Sequence, residues 1–334
     1  MRSILVAMLL LVPGPVLGQA KASGPKKPPK YRGYTVMAGA LGRPAAGPSD
    51  MWGNTAENHL DFIRKARINL VVFEVAYGVN RRYPKSSVVA AFIKELQARK
   101  VEVWIIYPHV LAQTFDLPRQ VGADGKQVAW NCCFNNPKVQ DWLIENGRSI
   151  VEAYRPDALI LFGTFHQGDM CRCSLCKSKR AAPTSKIMEG FFVRWSKEVR
   201  KAAPNTRLGT CKFWTRATRK TIASVDIVCP VVSIFRPGYA DAGQVRRQAS
   251  SWKSAYRGKL VVPYVKLFLA GQTHSKTDDI LVAAREGVRY CDGFFYWGYN
   301  PGHSYLKQDY DHRRIVTALA GLGPGSTSRR SGKR

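Results

Sequence analysis

Three cysteines spaced as Cys171-x-Cys173-x-x-Cys176 form the most chemically specific motif in the sequence. This spacing can supply three thiolates from one turn of chain, which is a ligand pattern typical of structural zinc sites. A fourth thiolate could come from the upstream pair Cys132 and Cys133 if the two segments meet in the fold. The motif therefore predicts a tetrahedral Zn²⁺ site made of four cysteines, with a structural role.

Disulfide bonds are the alternative interpretation of this cluster, and free thiols are a third. Disulfides are common in secreted proteins, but a single disulfide would leave other thiols of the cluster unexplained. The remaining cysteines, Cys211, Cys229 and Cys291, lie in or beside apolar runs, and we expect them to be small buried core residues. Zinc is the preferred prediction.

Glu74 is the only acidic residue in the apolar run 70–76. A carboxylate in such a run is costly to bury unless it faces a cleft or a partner. Glu74 is therefore a candidate catalytic carboxylate. A structural ion pair with Arg81 or Arg82 is an equally good explanation.

Two further side chains could take part in proton transfer beside the cysteine cluster. Asp169 precedes Cys171 by two residues and is the second candidate carboxylate, although support of the cluster loop or plain solvation would also explain it. His166 could shuttle a proton or bind a ligand, because imidazole titrates near neutral pH. A structural role is the alternative for His166.

Aromatic and basic side chains follow several of the apolar runs. Aromatic faces can stack on sugar rings, and Lys or Arg can bind carboxylate or sulfate groups. These features predict a carbohydrate-binding cleft. The candidate substrate-binding residues are Tyr107, His109, Trp214, Arg236, Lys266, Trp297 and Asn300.

Short apolar runs with helix-like stretches between them must position these side chains. Eight such runs occur, at 34–38, 69–75, 101–107, 158–162, 207–213, 227–235, 260–268 and 293–297. Alternating strands and helices indicate an α/β fold with parallel strands, and eight units predict a (β/α)8 TIM barrel. An open doubly wound sheet is the alternative, but no glycine-rich dinucleotide fingerprint or phosphate loop is present. In a barrel, the chemistry lies at the carboxyl ends of the strands.

The stretch Cys133-Phe134-Asn135-Asn136-Pro137, followed by the three-cysteine motif at 171–176, resembles the zinc site of glycoside hydrolase family 42 β-galactosidases. Related glycosyl hydrolases with TIM barrels share this pattern. The resemblance spans 33–322 as a barrel, but its specific motifs lie only between 131 and 176. It implies a retaining glycosidase fold with a structural zinc held by Cys133, Cys171, Cys173 and Cys176, and no metal in catalysis.

The sequence departs from that family at both catalytic positions. The family has an Asn-Glu pair at the end of strand four, whereas this chain has Thr164, Phe165 and His166 there. The family nucleophile is a Glu at the end of strand seven, whereas the run 263–269 contains no carboxylate. A retaining mechanism needs two carboxyl groups about 5 Å apart, so catalysis would have to rely on Glu74 and Asp169.

The chain of 334 residues carries 52 Lys and Arg against 23 Asp and Glu, a formal net charge of +29. Residues 1–18 have a basic start, an apolar run and small residues, which predicts a cleavable signal peptide and a secreted or periplasmic location. Residues 19–32 are predicted to be a basic linker, 33–322 the barrel and 323–334 a disordered basic tail. No segment is long and uncharged enough to cross a membrane.

The charge predicts an anionic partner, and export from the cytoplasm argues against nucleic acid and favours an extracellular or cell-envelope polyanion such as an acidic polysaccharide. A well-solvated basic surface without a specific partner is an equally good explanation of the charge. The first hypothesis is a secreted glycoside hydrolase-like barrel acting on an acidic or sulfated polysaccharide. The second is a carbohydrate-binding protein of the same fold that has lost catalysis. The third is a cell-envelope adhesion protein that acts through its basic linker and tail.

Overall fold

The fold is taken from a computed structural model of the chain. The structure describes residues 30–38, 41, 55–75, 86–107, 117–162, 171–177, 185–211, 219–233, 251–267, 276–297 and 311–322.

Twelve β-strands are defined in the described residues. They are β1 Tyr31–Met37, β2 Leu70–Glu74, β3 Glu102–Tyr107, β4 Arg119–Val121, β5 Gln127–Cys132, β6 Ala158–Phe162, β7 Arg207–Cys211, β8 Ile227–Cys229, β9 Val231–Ser233, β10 Leu260–Val261, β11 Tyr264–Lys266 and β12 Gly293–Trp297.

Helices alternate with most of these strands. They are α1 Ala56–Lys65, α2 Ser87–Ala98, α3 Pro137–Tyr154, α4 Ser174–Lys177, α5 Ser185–Ala202, α6 Arg219–Ala223, α7 (described over 251–255), α8 Thr277–Tyr290 and α9 His312–Gly321.

Ten of the strands form one parallel sheet in the order β10-β8-β7-β6-β3-β2-β1-β12-β11-β9. The first strand of the chain therefore pairs with both β2 and β12, which is the strand nearest the carboxyl end. The sheet curls, and its parallel strands alternate with helices, so the predicted α/β class is confirmed. Because the strands are parallel, their carboxyl ends meet at one edge, where the candidate site residues were expected.

Successive side chains on a strand point to opposite faces, and both faces of this sheet are buried. Leu70, Val72, Trp104 and Ile106 belong to an inner cluster of apolar side chains, which continues through Phe295. The intervening residues form a second, larger cluster with the helices. This arrangement explains why the strands read as continuous apolar runs rather than alternating ones.

The helices begin where the sequence supplies capping side chains. Ser86 Oγ accepts a hydrogen bond from the Val89 amide at 3.3 Å, and Asn136 Oδ1 accepts one from Lys138 at 3.0 Å. At α1 the cap is Thr55, whose hydroxyl accepts a hydrogen bond from the Asn58 amide at 3.3 Å. Such caps satisfy amides that the first helical turn leaves without partners.

Three strand predictions differ from the structure. The strand β1 begins at Tyr31, inside the stretch expected to be a linker. Pro230 divides the run 227–235 into β8 and β9, and Pro263 lies in the gap between β10 and β11, because proline has no amide hydrogen to donate to a ladder. The antiparallel hairpin β4–β5 was not predicted; it lies between β3 and α3, where we expected a loop.

Candidate functional site

Glu74, Lys266 and Trp297 lie together at the carboxyl edge of the sheet. Each is the last residue of its strand, on β2, β11 and β12 respectively. The indole Nε1 of Trp297 donates a hydrogen bond of 2.7 Å to Oε2 of Glu74. Lys266 is the register partner of Trp297 on the adjacent strand. The structure therefore brings together three residues that the sequence analysis had selected separately.

The alternation of side chains along the strands explains this meeting. Leu70 and Val72 point into the inner cluster, so Glu74 continues the same row. Phe295 likewise precedes Trp297 by two positions on the inner face. The site thus forms the open end of the inner face of the sheet.

Three aromatic rings surround the ammonium group of Lys266. Its Nζ lies 5.3 Å from the ring centroid of Trp297, 5.7 Å from that of Phe162 and 6.0 Å from that of Tyr264. A cation near aromatic faces is stabilised by the ring quadrupoles, so the rings hold a positive charge at this edge. Sequence reasoning did not select Phe162 or Tyr264, although their spacing from the strand ends places both on the inner face.

The carboxyl group of Glu74 sits in surroundings that oppose its ionisation. Burial raises its pKa above the usual range, while the hydrogen bond from Trp297 and the positive charge of Lys266 act in the opposite direction. The net result is a raised pKa, because desolvation is the largest influence. A carboxyl group that holds its proton more tightly can act as an acid toward a bound molecule.

Tyr107 does not belong to this site, which corrects its assignment as a substrate-binding residue. Its neighbour Ile106 points into the inner cluster, so Tyr107 faces the helices on the other side of β3. The side chain is fully buried, and its hydroxyl donates a hydrogen bond of 3.2 Å to the carbonyl oxygen of Leu143 in α3. Tyr107 therefore anchors a helix to the sheet.

Six of the predicted site residues lie outside the residues that the structure describes, and their roles stay predictions. They are His109, His166, Asp169, Trp214, Arg236 and Asn300.

The four predicted zinc ligands form a second cluster. The Sγ atoms of Cys133, Cys171, Cys173 and Cys176 all lie within 4.8 Å of one another. The Sγ of Cys133 is 3.4 Å from that of Cys176 and 3.7 Å from that of Cys173. These separations match the edge of a tetrahedron with Zn–S bonds of 2.3 Å, which is about 3.8 Å. They exceed the 2.05 Å of a disulfide bond, and all eight cysteines of the chain are free.

The hairpin β4–β5 and the turn after it hold this cluster in place. The amide of Val121 on β4 donates to Cys171 Sγ at 3.4 Å, and its carbonyl oxygen accepts from the Arg172 amide at 2.7 Å. Asn135 Nδ2 donates to Cys176 Sγ at 3.2 Å. Donors of this kind orient sulfur ligands around a metal, and sequence reasoning had not identified them.

The donor set is chemically suited to a divalent cation. Burial raises the pKa of Cys133, with the Cys176 thiol adding to the effect, and burial also raises the pKa of Cys176 to about 11. Four thiolates at these separations would repel one another without a compensating positive charge, which a bound metal would supply. Cys132 is not a member of the cluster; burial raises its pKa to about 12.

No protein-family model matches the chain, and no curated protein matches it either. Solved structures do. The alpha-L-fucosidase isoenzyme 2 from Paenibacillus thiaminolyticus aligns with a TM-score of 0.57 at 13% identity, over 88% of this chain and 49% of that one. The beta-galactosidase from the psychrophilic Marinomonas ef1 aligns with a TM-score of 0.59 at 9% identity, over 86% and 58%.

A further solved structure, of a glycoside hydrolase, aligns with a TM-score of 0.57 at 10% identity over 88% of this chain and all of that one. The chain thus spans about half of the fucosidase and 58% of the galactosidase. The chain has a glycoside hydrolase-like fold: a curled parallel sheet with helices. At these identities the likeness concerns the fold alone.

Among the described residues, no helix has both the length and the apolar character that a membrane span requires.

Proposed function

We propose that this chain is a secreted glycoside hydrolase-like protein that acts on a polysaccharide carrying acidic or sulfate groups. The observation that carries the proposal is the grouping of Glu74, Lys266 and Trp297 at the carboxyl edge of the sheet, joined by the 2.7 Å hydrogen bond from Trp297 to Glu74. Barrels of this architecture carry their chemistry at that edge. The grouping offers an acid, a cation and an aromatic face in one place.

Glu74 would act as the general acid. Because Oε2 already accepts the indole hydrogen of Trp297, the acidic proton belongs on Oε1. Transfer of that proton to the glycosidic oxygen would accompany cleavage of the bond between this oxygen and the anomeric carbon. Asp169 would be the second carboxylate and would attack the anomeric carbon as the bond to the departing oxygen breaks, and water would then hydrolyse the glycosyl-enzyme. His166 is the further candidate for proton transfer at this edge.

Lys266 and Trp297 would select the sugar. The ammonium group of Lys266 is a point charge that can pair with a uronate carboxylate or a sulfate ester. The rings around it exclude water and strengthen that pairing. His109, Trp214, Arg236 and Asn300 would extend the cleft with further aromatic and polar contacts.

A carbohydrate-binding protein that has lost catalysis is the second candidate, and one observation favours it. Among the described residues that stand last in the strands of the parallel sheet, at its carboxyl edge, Glu74 is the only carboxylate. Glycoside hydrolysis normally uses two. A cleft with an aromatic and basic lining but a single acid would still bind an anionic glycan.

We also propose that the sheet is a closed (β/α)8 barrel. One residue, Pro230, separates β8 from β9, and two residues separate β10 from β11. The Val262 amide donates to Val228 at 3.0 Å and the Tyr264 amide to Pro230 at 2.8 Å, so the pairing continues across the interruptions. Each pair then counts as one strand, which gives eight strands with the first beside the last.

The cysteine cluster would hold a structural zinc, with Cys133, Cys171, Cys173 and Cys176 as ligands. The metal would cross-link the hairpin β4–β5 to the segment after β6 and take no part in proton transfer. Both segments follow the carboxyl ends of strands, so the cross-link would brace one wall of the cleft. The proposed export agrees with the apolar start of the chain and with its net charge of +29.

A glycan screen on the purified full chain tests the proposed function. Neutral, uronic and sulfated polysaccharides are assayed in parallel for release of reducing ends and for binding. Hydrolysis restricted to uronic or sulfated substrates is the expected result. Binding of the same glycans without any hydrolysis would favour the second candidate, and neither binding nor hydrolysis would contradict both.

A further inference from the structure

The guanidinium group of Arg32 is largely buried at the start of β1, and no described residue pairs with its Nε or Nη1 atom. The residue is only 8% exposed. Its Nε and Nη1 atoms are inaccessible and donate no hydrogen bond within the part of the chain that the structure describes. A buried charge without a partner costs several kcal/mol, so natural proteins almost always pair or neutralise one.

Arg32 lies far from the proposed carbohydrate site. It is the second residue of β1, so it belongs to the amino-terminal edge of the sheet, whereas Glu74 lies at the carboxyl edge. Because side chains alternate along a strand, Arg32 lies on the same face of the sheet as Tyr34 and Val36. Those two residues pack in the larger apolar cluster between the sheet and the helices. An interaction at Arg32 would therefore be separate from catalysis.

A second arginine stands beside it. The amide of Arg32 donates to Asn69 Oδ1 at 2.7 Å, and its carbonyl oxygen accepts from the Asn69 amide at 3.2 Å. Arg67 is two residues before Asn69, in a left-handed turn with φ of 51°, and its side chain is exposed. The positive charge of Arg67 adds to the effect of burial in lowering the pKa of Arg32.

The carboxylate of Asp292, which follows the neighbouring helix α8, already has other hydrogen-bond partners. Asp292 accepts no bond from Arg32: its Oδ2 binds the Val261 amide at 2.8 Å and Lys253 Nζ at 2.5 Å. The other close cation, Lys30, donates to the carbonyl oxygen of Cys291. The two arginines thus lie at an edge where, among the described residues, no carboxylate pairs with either of them.

We propose that Arg32 and Arg67 form a binding site for a tetrahedral oxyanion, phosphate or sulfate, at the amino-terminal edge of the sheet. A guanidinium group is planar and donates parallel hydrogen bonds that fit the oxygens of such anions. Nη2 of Arg32 is not among its inaccessible atoms, so the end of the group can be reached from the side where Arg67 is exposed. The anion would supply the partner that the buried charge lacks.

Isothermal titration of the full chain with inorganic phosphate and inorganic sulfate, at constant ionic strength in chloride, tests the site. We expect saturable binding by the wild type, at least tenfold weaker binding by Arg32→Met and several-fold weaker binding by Arg67→Met. Arg285→Met is the matched control, because Arg285 is an exposed arginine on α8, and it should bind like the wild type. Arg67 is also exposed, so its variant keeps the test valid if Arg32→Met does not fold.

Thermal unfolding in chloride alone provides an independent readout. If Arg32 has no partner within the chain, Arg32→Met should unfold at the same temperature as the wild type or at a higher one. A sulfated oligosaccharide and its unsulfated backbone, titrated in parallel, distinguish an ester group from a free anion as the source. Absence of saturable binding, or equal binding by the wild type and both variants, would overturn the proposal.

Discussion

Burial shifts the pKa of both Glu74 and His59, but only the shift of Glu74 points to a function. The ring of His59 is buried beside the rings of Tyr34 and Phe92, and its Nδ1 forms a hydrogen bond of 2.9 Å with the hydroxyl of Tyr34. This ring nitrogen therefore has a hydrogen-bond partner within the core, and we interpret His59 as a structural residue. Glu74 instead keeps partial exposure at the edge of the sheet and points toward the open end. A shifted pKa indicates a functional residue only where a ligand can reach the side chain.

At the residue scale, His59 gives a prediction about acid stability. Burial lowers its pKa to about 4, whereas an unfolded histidine titrates near 6.5. The neutral ring contributes stability that is present above pH 6.5 and is lost as the pH falls from 6.5 toward 4, by up to about 3 kcal/mol. Urea unfolding across this range should show the loss in the wild type and a flatter profile in His59→Gln. Parallel profiles would contradict the assignment.

At the element scale, the hairpin β4–β5 carries the cysteine site. It presents Val121 to Cys171 and leads directly into Cys133, while the short helix α4 carries Cys176. The apolar cluster that these segments share consists of the four cysteines and Val121, so the proposed metal cross-link would supply much of their order.

Adjacent cysteines allow a matched test of this site. Cys133→Ser removes a ligand, and we expect the metal content to fall from about one zinc per chain to a small fraction of that. Cys132→Ser alters the neighbouring thiol, which lies outside the cluster, and should retain the metal. Elemental analysis gives the metal content, and hydrogen exchange should show faster exchange over residues 119–132 only in Cys133→Ser. Loss of metal in both variants, or in neither, would be inconsistent with these ligands.

Gly293 forms the junction between the first and last strands of the sheet. Its φ is 136°, and a Cβ atom there would lie 2.1 Å from the carbonyl oxygen of Tyr31. We expect Gly293→Ala to lower the free energy of unfolding by at least about 2 kcal/mol. Gly190→Ala is the control, because Gly190 is exposed in α5 with open space around it, and it should raise stability by up to about 1 kcal/mol. Denaturant titration measures both, and equal changes would contradict the proposed junction.

The sequence predicted the strands best where both faces are buried. The runs 158–162 and 293–297 correspond residue for residue to β6 and β12, because every side chain in them is apolar or glycine. The hairpin was missed since its residues 119–132 mix polar and apolar side chains without a clear pattern, and β4 contacts Cys171 far along the chain. Local patterns cannot report such distant partners.

At the scale of the whole molecule, the positive charge of the chain is spread over more than one side of the fold. The segments predicted to be the signal, linker and tail hold only ten of the 52 basic residues, so most of the positive charge lies in residues 33–322. Basic side chains lie at the carboxyl edge of the sheet, as Lys266, and at the opposite edge, as Arg32 and Arg67. An anionic polymer could meet positive charge on more than one side of the molecule.

The candidate site could be predicted only in part from the sequence. Glu74 stood out because it is the one acid in an apolar run, and the cysteine spacing indicated a metal site directly. The pairing of Glu74 with Trp297 joins residues 223 positions apart, which no local pattern reveals. The assignment of Tyr107 to the site failed for a similar reason. Its position at the end of a strand was predicted correctly, but the sequence did not show that its side chain points to the helices.

The central claim is that Glu74 is the acid of a carbohydrate-active site. As a general acid it must be protonated, so hydrolysis should decline as the pH rises through its raised pKa. Glu74→Gln keeps an acceptor for Trp297 but has no proton to give, and Asp169→Asn removes the second carboxylate. Glu152→Gln, on the exposed face of α3, is the matched control.

The most direct measurement is kcat/KM for release of reducing ends from the preferred glycan, with Kd for the same glycan measured in parallel. We predict that Glu74→Gln lowers kcat/KM at least about 100-fold with little change in Kd, while Glu152→Gln matches the wild type. Hydrolysis that persists at the wild-type rate in Glu74→Gln would contradict the account.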